Sequence, residues 1–190
     1  MNNLSSNQID QRLIQATLDG DREAFGDLIC KYQNRLYNGL VQMLRSESDA
    51  EDVVQEAFIL AFTKLSSFKG NSAFFTWLYR IGYNVAITKM RRRKPSVSLE
   101  SNEGETQLQL PGNAPSPEAG LERQEQTNQL MEALGQLSEE HRSILVLREM
   151  EEMDYDAISE ILDLPIGTVR SRLHRARSHL KQHLELIMNQ

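Results

Sequence analysis

The sequence is poor in the residues that build disulfides, metal clusters and membrane spans. Its 190 residues include one cysteine, Cys30, which excludes an internal disulfide and a multi-thiolate zinc site and indicates a reducing, cytoplasmic setting. The four histidines lie in basic surroundings and do not suggest a metal cluster. No run approaches the roughly 18 consecutive apolar residues of a membrane span, and residues 1–11 lack the features of a secretory signal. We therefore expect no metal, no bound cofactor and no membrane insertion.

Positive charge is outnumbered, with 21 basic against 27 acidic residues and a net charge of −6, which alone counts against nucleic-acid binding. Its distribution reverses that conclusion. Residues 1–94 carry a balance of +3 and residues 164–190 a balance of +4, so the acidic excess lies between them. Residues 68–94 and 164–184 contain no acid at all. Because phosphate attraction acts over roughly a Debye length of ~10 Å, these two basic clusters matter more than the total.

Strand patterns are nearly absent, and apolar residues recur at intervals of three and four, so the predicted fold class is all-α. Four of the five prolines lie between residues 95 and 117, in a stretch rich in Ser, Asn, Gln, Glu and Gly that shows no sustained periodicity. This composition is typical of a flexible linker over 95–122. The sequence thus predicts two small helical domains, 8–94 and 123–188, joined by that linker.

The first predicted domain contains amphipathic helices. The pattern over 21–44 predicts one core-facing helix, and Ser48 or Asp49 is the predicted cap of the next. That next helix has a predicted core stripe of Val54, Ala57, Phe58, Ala61 and Phe62. Its acidic residues share another face, which we interpret either as a solvated surface or as a docking surface for a basic partner. A catalytic carboxylate pair is less favoured, since no other ligand or base converges there.

Residues 68–94 combine six of the twelve aromatic residues with seven cations. If Ser72 caps a helix, its predicted core stripe is Phe74, Trp77 or Leu78, Ile81 and Val85. Packing in a core does not explain the remaining rings, the neighbouring asparagine or the cations. Unpaired bases stack on aromatic rings for roughly 1–3 kcal/mol each while Lys and Arg follow the phosphates. The segment therefore favours single-stranded nucleic acid, either DNA or RNA.

The second predicted domain ends in a helix-turn-helix. Ser138 followed by acids indicates a helix start, 157–162 predicts a short helix, and the turn 164–167 is followed by a helix from Thr168. Val169 and the residues at helical spacing after it face the core, and the opposite arc contains Arg, Ser and His. Such a face suits insertion into a DNA major groove. A basic solvated helix end and a protein-contact surface are the alternatives.

Four segments together resemble the bacterial extracytoplasmic-function (ECF) sigma factors of the sigma-E type. In chain order they are GDREAFGDLICKYQNRLY, DAEDVVQEAFILAF, FKGNSAFFTWLYRIGYNVA and YDAISEILDLPIGTVRSRLHRARSHL. The resemblance implies a sigma factor, not an enzyme, that binds core RNA polymerase and directs initiation at specific promoters. An anti-sigma factor is an expected partner. A stand-alone helix-turn-helix regulator is the alternative, but it leaves the segment 68–94 unexplained.

The resemblance also assigns roles to residues. It implies that 8–94 is sigma region 2 and 123–188 is sigma region 4, which would also pack on the flap of the polymerase β subunit. The expected contacts with the β′ subunit are Asp49, Asp52, Gln55 and Glu56. The expected contacts with melted −10 DNA are Phe68, Lys69, Arg80, Tyr83 and Asn84. The expected contacts with duplex −35 DNA are Thr168, Arg170, Ser171, His174 and Arg175.

Overall fold

The computed structural model describes residues 5–93 and 117–189, with side chains over 5–92 and 125–189. Within these residues the chain is all-α, as predicted, with no strand. Two short turns supplement the helices, a 3-10 turn at Leu65–Ser67 and a π-helical turn at Val146–Met150. The helices are α1 Ser6–Leu18, α2 Arg22–Leu44, α3 Glu47–Lys64, α4 Phe74–Arg93, α5 Pro117–Gln136, α6 Glu139–Leu145, α7 Tyr155–Leu162 and α8 Ile166–Met188. None of the described helices is long and apolar enough to cross a membrane.

Helices α1–α4 form the N-terminal unit around the long helix α2. The Asp21 carboxylate caps α2 by accepting hydrogen bonds from two backbone amides of its first turn. The predicted cap of α3 at Ser48 or Asp49 is wrong, because Ser46 is the cap and its Oγ accepts a bond from the Asp49 amide. Arg45 adopts a left-handed conformation (φ 56°) that ends α2, so α3 begins immediately afterwards.

The buried face of helix α4 coincides only in part with the predicted stripe. Phe74 and Leu78 are buried as expected, but Trp77 and the two residues predicted to follow it, Ile81 and Val85, are only partly buried. The buried residues of this helix instead include Phe75, Leu78, Tyr79, Gly82 and Ala86. The reason is that α4 packs both on α3 and on α7 of the other unit, so it has two apolar faces.

Helices α5–α8 form the C-terminal unit. Ser138 caps α6 as predicted, accepting a bond from the His141 amide. The predicted helix-turn-helix is present in α7 and α8, but its turn lies earlier than predicted. Asp163 makes the reversal with a left-handed backbone (φ 54°), and α8 begins at Ile166 rather than Thr168. The Thr168 amide already donates to the carbonyl of Pro165, so Gly167 belongs to the first helical turn.

Helix α5 begins at Pro117, so it includes the last six residues of the range predicted as a linker, and the rest of that range lies outside the described residues. Proline suits this position, because the first residue of a helix has no intrahelical use for its amide hydrogen. The C-terminal half of α5 buries Ala133 and Leu134, and the helix packs on α8.

The two units pack against each other, which the sequence did not predict. Helix α4 contacts α7, and α2 contacts the π-helical turn and α6, so the buried apolar residues form one continuous cluster. Arg35 of α2 donates from Nε to Glu151 Oε2 (2.9 Å) and from Nη2 to the Glu151 carbonyl (2.8 Å). Its guanidinium also lies 4.1 Å from the ring centroid of Phe75. Burial raises the pKa of Glu151, and the bond from Arg35 opposes that rise.

Further contacts between the units involve tightly fitted or buried groups. Arg142, which is buried, donates to the Met43 carbonyl at the end of α2 (3.2 Å). Gly39 of α2 has no room for a side chain, since a Cβ would lie 2.6 Å from the Tyr79 hydroxyl and 2.9 Å from Glu151 Oε1. The contact between units is therefore a fitted interface of apolar, glycine and charged residues.

Candidate nucleic-acid and polymerase interfaces

The first three turns of α8 present the predicted −35 residues on one exposed surface. Val169, Leu173 and Ala176 are buried as predicted and fix the rotation of the helix. Opposite them, four of the predicted residues are exposed and Thr168 is half-buried; the exposed ones are Arg170, Ser171, His174 and Arg175. The structure thus brings all five predicted −35 residues together on one helix.

Not every cation of α8 belongs to this surface. Arg172 is half-buried and its Nη2 lies 3.2 Å from Glu140 Oε2. Arg177 donates from Nε (2.9 Å) and Nη2 (2.6 Å) to Glu149 Oε1. Both arginines are paired with carboxylates of the same unit, which leaves Arg170 and Arg175 as the arginines of α8 without such a partner among the described residues.

Arg170 lies beside an aromatic ring that sequence reasoning missed. Its guanidinium carbon is 5.8 Å from the ring centroid of Tyr155, and the guanidinium carbon of Arg148 is 5.2 Å from the same ring. The Arg148 side chain is fixed to the backbone, because its Nη1 donates a hydrogen bond to the Met153 carbonyl (2.7 Å). The available sequence signal was a tyrosine in the first turn of the helix that precedes the predicted recognition helix.

The predicted −10 residues are divided among three places. Phe68 is half-buried, with its ring centroid 5.2 Å from that of Trp77, and it lines a cavity of about 250 Å³ between α1 and residues 68–74. Polar side chains of α1, including Asn7 and Gln11, line the same cavity and were not predicted. Gly70 adopts a left-handed conformation (φ 71°) in the turn that forms one wall.

The other predicted −10 residues lie outside that cavity wall. Lys69 is exposed next to Phe68, and Asn84 is exposed further along α4, on the same side as the half-buried Arg80. Tyr83 is half-buried toward the C-terminal unit, where burial raises the pKa of its phenol and the charge of Arg172 opposes that rise. The packing of the two units therefore partly covers the Tyr83 side chain.

The predicted polymerase-binding residues lie on α3, and one of them points inward. Asp52, Gln55 and Glu56 are exposed, whereas Asp49 is buried. Lys89 of α4 lies 3.0 Å from Asp49 Oδ1 and 2.7 Å from Asp52 Oδ2, and its pKa is raised chiefly by the hydrogen bond to Asp52. Among the described residues, no group of three His, Cys, Asp or Glu side chains could hold a metal ion.

An apolar patch continues the acidic face of α3. Ile59 is 67% exposed and Phe62 is 45% exposed, one to two turns beyond Glu56. Phe62 was predicted to belong to the core, but its ring instead packs from outside on Phe25 with 5.0 Å between centroids. The surface of α3 therefore combines carboxylates with exposed apolar area, a mixture suited to a protein partner.

The C-terminal unit has an apolar groove along the C-terminal half of α8, beyond the predicted −35 residues. The groove, of about 550 Å³, is lined by Leu145 of α6 and by α8 residues that include Leu180, Leu184 and Met188. Met188 is 70% exposed. None of the residues that line the groove is one of the five predicted −35 residues.

Comparison with known proteins identifies the family. The models "Sigma-70 region 2" and "Sigma-70, region 4" match residues 28–95 and 127–180. The chain is 37% identical over 187 residues to the ECF RNA polymerase sigma-E factor of Haemophilus influenzae, covering 94% of this chain and 97% of that protein. It is 35% identical over 179 residues to the ECF RNA polymerase sigma factor SigW of Bacillus subtilis, covering 92% and 96%.

Two solved structures resemble the whole fold. CnrH in complex with the cytosolic domain of CnrY has a TM-score of 0.68 at 25% identity, covering 94% of this chain and 98% of CnrH. RpoE in complex with the anti-sigma factor NepR from Bartonella quintana has a TM-score of 0.67 at 25% identity, covering 85% and 96%. A stand-alone helix-turn-helix regulator is not favoured, because both sigma regions match. The chain therefore belongs to the extracytoplasmic-function sigma factors, which direct RNA polymerase to initiate transcription at specific promoters.

Proposed function

We propose that promoter recognition is divided between the two units, with α8 reading duplex −35 DNA. The observation that carries this proposal is the exposed surface of Arg170, Ser171, His174 and Arg175 opposite a fully buried apolar face. Arg can bind the O6 and N7 of guanine bidentately, and Ser and His can bond to base edges or phosphates. Arg172 and Arg177 contribute less, because each is already paired with a carboxylate.

The N-terminal unit holds the unpaired −10 strand in this proposal. Phe68 supplies a ring beside a cavity of about 250 Å³, and Lys69, Arg80 and Asn84 supply charge and a hydrogen-bonding amide along the path of the strand. Removing a base from the stack costs a few kcal/mol, which stacking and hydrogen bonds to the base edge offset. Strand opening would therefore draw on binding energy, and the chain itself would perform no catalysis.

The exposed face of α3 docks on the β′ subunit of core polymerase. Asp52, Gln55 and Glu56 would meet basic groups of the partner, and Ile59 and Phe62 would add the apolar contact. Asp49 has a structural role in this proposal, since its carboxylate is buried and close to Lys89. That pairing would stabilise the exposed face of α3. The groove beside α8 is the corresponding surface for the flap of the β subunit.

An anti-sigma factor is the proposed regulatory partner. RpoE of Bartonella quintana, a structure covering 85% of this chain, is in complex with the anti-sigma factor NepR. The same exposed apolar surfaces that would contact polymerase are available to such a partner, so binding of one would exclude the other. We propose that this competition controls the protein.

Transcription with purified components tests the assignment. Core RNA polymerase plus this protein, on a library of genomic promoters, should yield promoter-specific RNA without any further factor. Permanganate should detect unpaired thymines near −10 in those complexes. Specific duplex binding with no RNA and no unpaired thymines would contradict the proposal and would instead indicate a regulator that only binds duplex DNA.

A further inference from the structure

The ring of Tyr155 contacts Arg170, which the proposed function assigns to base reading. We propose that Tyr155 is a positioning residue that holds the Arg170 guanidinium in place for −35 recognition. This inference rests on the proposed function of α8. The contact is a cation–π arrangement, with 5.8 Å between the guanidinium carbon and the ring centroid.

Tyr155 itself is firmly held. It is the first residue of α7, which is capped by Asp154 through a 2.8 Å bond from the Ala157 amide to Oδ1. Ile158 and Ile161 anchor α7 in the core, with 0% and 1% exposure. The Tyr155 ring is half-buried and packs on that core. The ring is therefore a fixed platform relative to α8.

A second arginine, Arg148, also lies close to the Tyr155 ring. The Arg148 guanidinium carbon is 5.2 Å from the same ring centroid, and its Nη1 donates to the Met153 carbonyl. Arg148 is thus fixed to the backbone, whereas Arg170 is exposed. The Tyr155 ring is therefore the fixed group that the Arg170 guanidinium contacts.

Restricting the rotamers of the Arg170 side chain affects discrimination between base pairs more than the overall affinity for DNA. A free arginine side chain loses rotamer freedom when it binds a base, and prior ordering removes part of that cost. The gain applies only to the base pair that Arg170 contacts. Loss of the ring should therefore weaken discrimination at that one position, by about two- to fivefold for an exposed cation–π contact.

The test compares variants of the full chain bound to core polymerase, on promoters substituted one base pair at a time across the −35 element. R170A first identifies the position that Arg170 reads, as the one where discrimination is lost. Y155L should reduce discrimination at that position about two- to fivefold and leave the other positions unchanged. Y155F should retain discrimination, because the ring remains. The double variant Y155L/R170A should lose no more than R170A.

Several outcomes would overturn the proposal. Equal weakening on all promoters by Y155L would make Tyr155 a phosphate contact, and unchanged discrimination would remove any positioning role. Loss of discrimination in Y155F would assign the effect to the hydroxyl. If Y155L unfolds, Y155M fills the site without a ring and serves in its place. A sequence-independent effect of R170A would overturn the base-reading role of Arg170, and the proposal for Tyr155 would fail with it. The R170A result thus distinguishes failure of the proposed function from failure of the positioning role alone.

Discussion

At the scale of single residues, the structure separates side chains that the sequence presents as equivalent. Arg170, Arg172 and Arg177 share one basic helix, but only Arg170 is exposed without a carboxylate partner among the described residues. The pairing of Arg172 with Glu140 and of Arg177 with Glu149 was not predictable, because the carboxylates come from α6 and the turn after it. Residue contacts between distant segments leave no local signal in the sequence.

Replacing Arg170 tests base reading directly. R170A should lower −35 affinity by about 1–3 kcal/mol when the preferred base pair is present, and by less when it is substituted, because a bidentate contact discriminates between bases. Competition binding of the polymerase complex to matched and substituted promoters measures the difference. An equal loss on every sequence would reassign Arg170 to a phosphate, with the slope of affinity against salt reduced by about one.

Replacing Asn84 tests the single-stranded surface. N84A should reduce open-complex formation while leaving −35 binding unchanged, because Asn84 is exposed on α4 of the other unit. Permanganate reactivity near −10 measures opening, and a footprint at low temperature measures binding to the closed promoter. Thr88, whose hydroxyl bonds to the Asn84 carbonyl, offers a matched control in T88A, which should leave opening intact. Normal opening in N84A would remove this side chain from the strand path.

At the scale of helices, amphipathic spacing predicted the elements well and the buried face of α4 poorly. Patterns of three and four located α2, α3 and α8, each of which packs mainly on neighbours in its own unit. Helix α4 also packs on α7, so its buried face includes Tyr79 and Gly82 and only part of the predicted stripe. The same limit applies to Phe62, whose place in the apolar stripe of α3 suggested a core position although it is 45% exposed.

The apolar part of the α3 surface makes a separate prediction. I59N should weaken binding to core polymerase by about 1–2 kcal/mol, since it removes apolar area that the partner would cover. Folding stability should change little, because Ile59 is 67% exposed. Competition with the parent protein for a limiting amount of core polymerase measures the effect. I9N, at an isoleucine of α1 that is 42% exposed, is the matched control; equal weakening by both variants would contradict a specific role of α3.

At the scale of the whole molecule, the close packing of the two units conflicts with the distance between their proposed DNA sites. The −10 and −35 elements lie roughly 25 base pairs apart, which is about 85 Å of duplex. The described units are in direct contact and partly cover Tyr83, so they would have to separate for the proposed sites to occupy both elements. The 23 residues 94–116 can span at most about 80 Å, which together with the units themselves is sufficient. The sequence predicted the connection but not the contact, since Arg35 and Glu151 are residue types usually found at surfaces.

The ion pair between the units provides a test of this separation. R35E should favour separated units, because it sets two carboxylates together where Glu151 is 6% exposed. We expect a loss of about 1–3 kcal/mol in the contact, less than for a fully buried pair because the Arg35 side chain is 49% exposed. The radius of gyration from small-angle scattering should rise, and the swap R35E/E151R should partly restore the parent value. K181E, at an exposed pair within α8, controls for net charge and should leave the radius unchanged. If R35E leaves the radius at the parent value, the ion pair does not hold the units together, and separation must be governed by the apolar contact of α4 with α7.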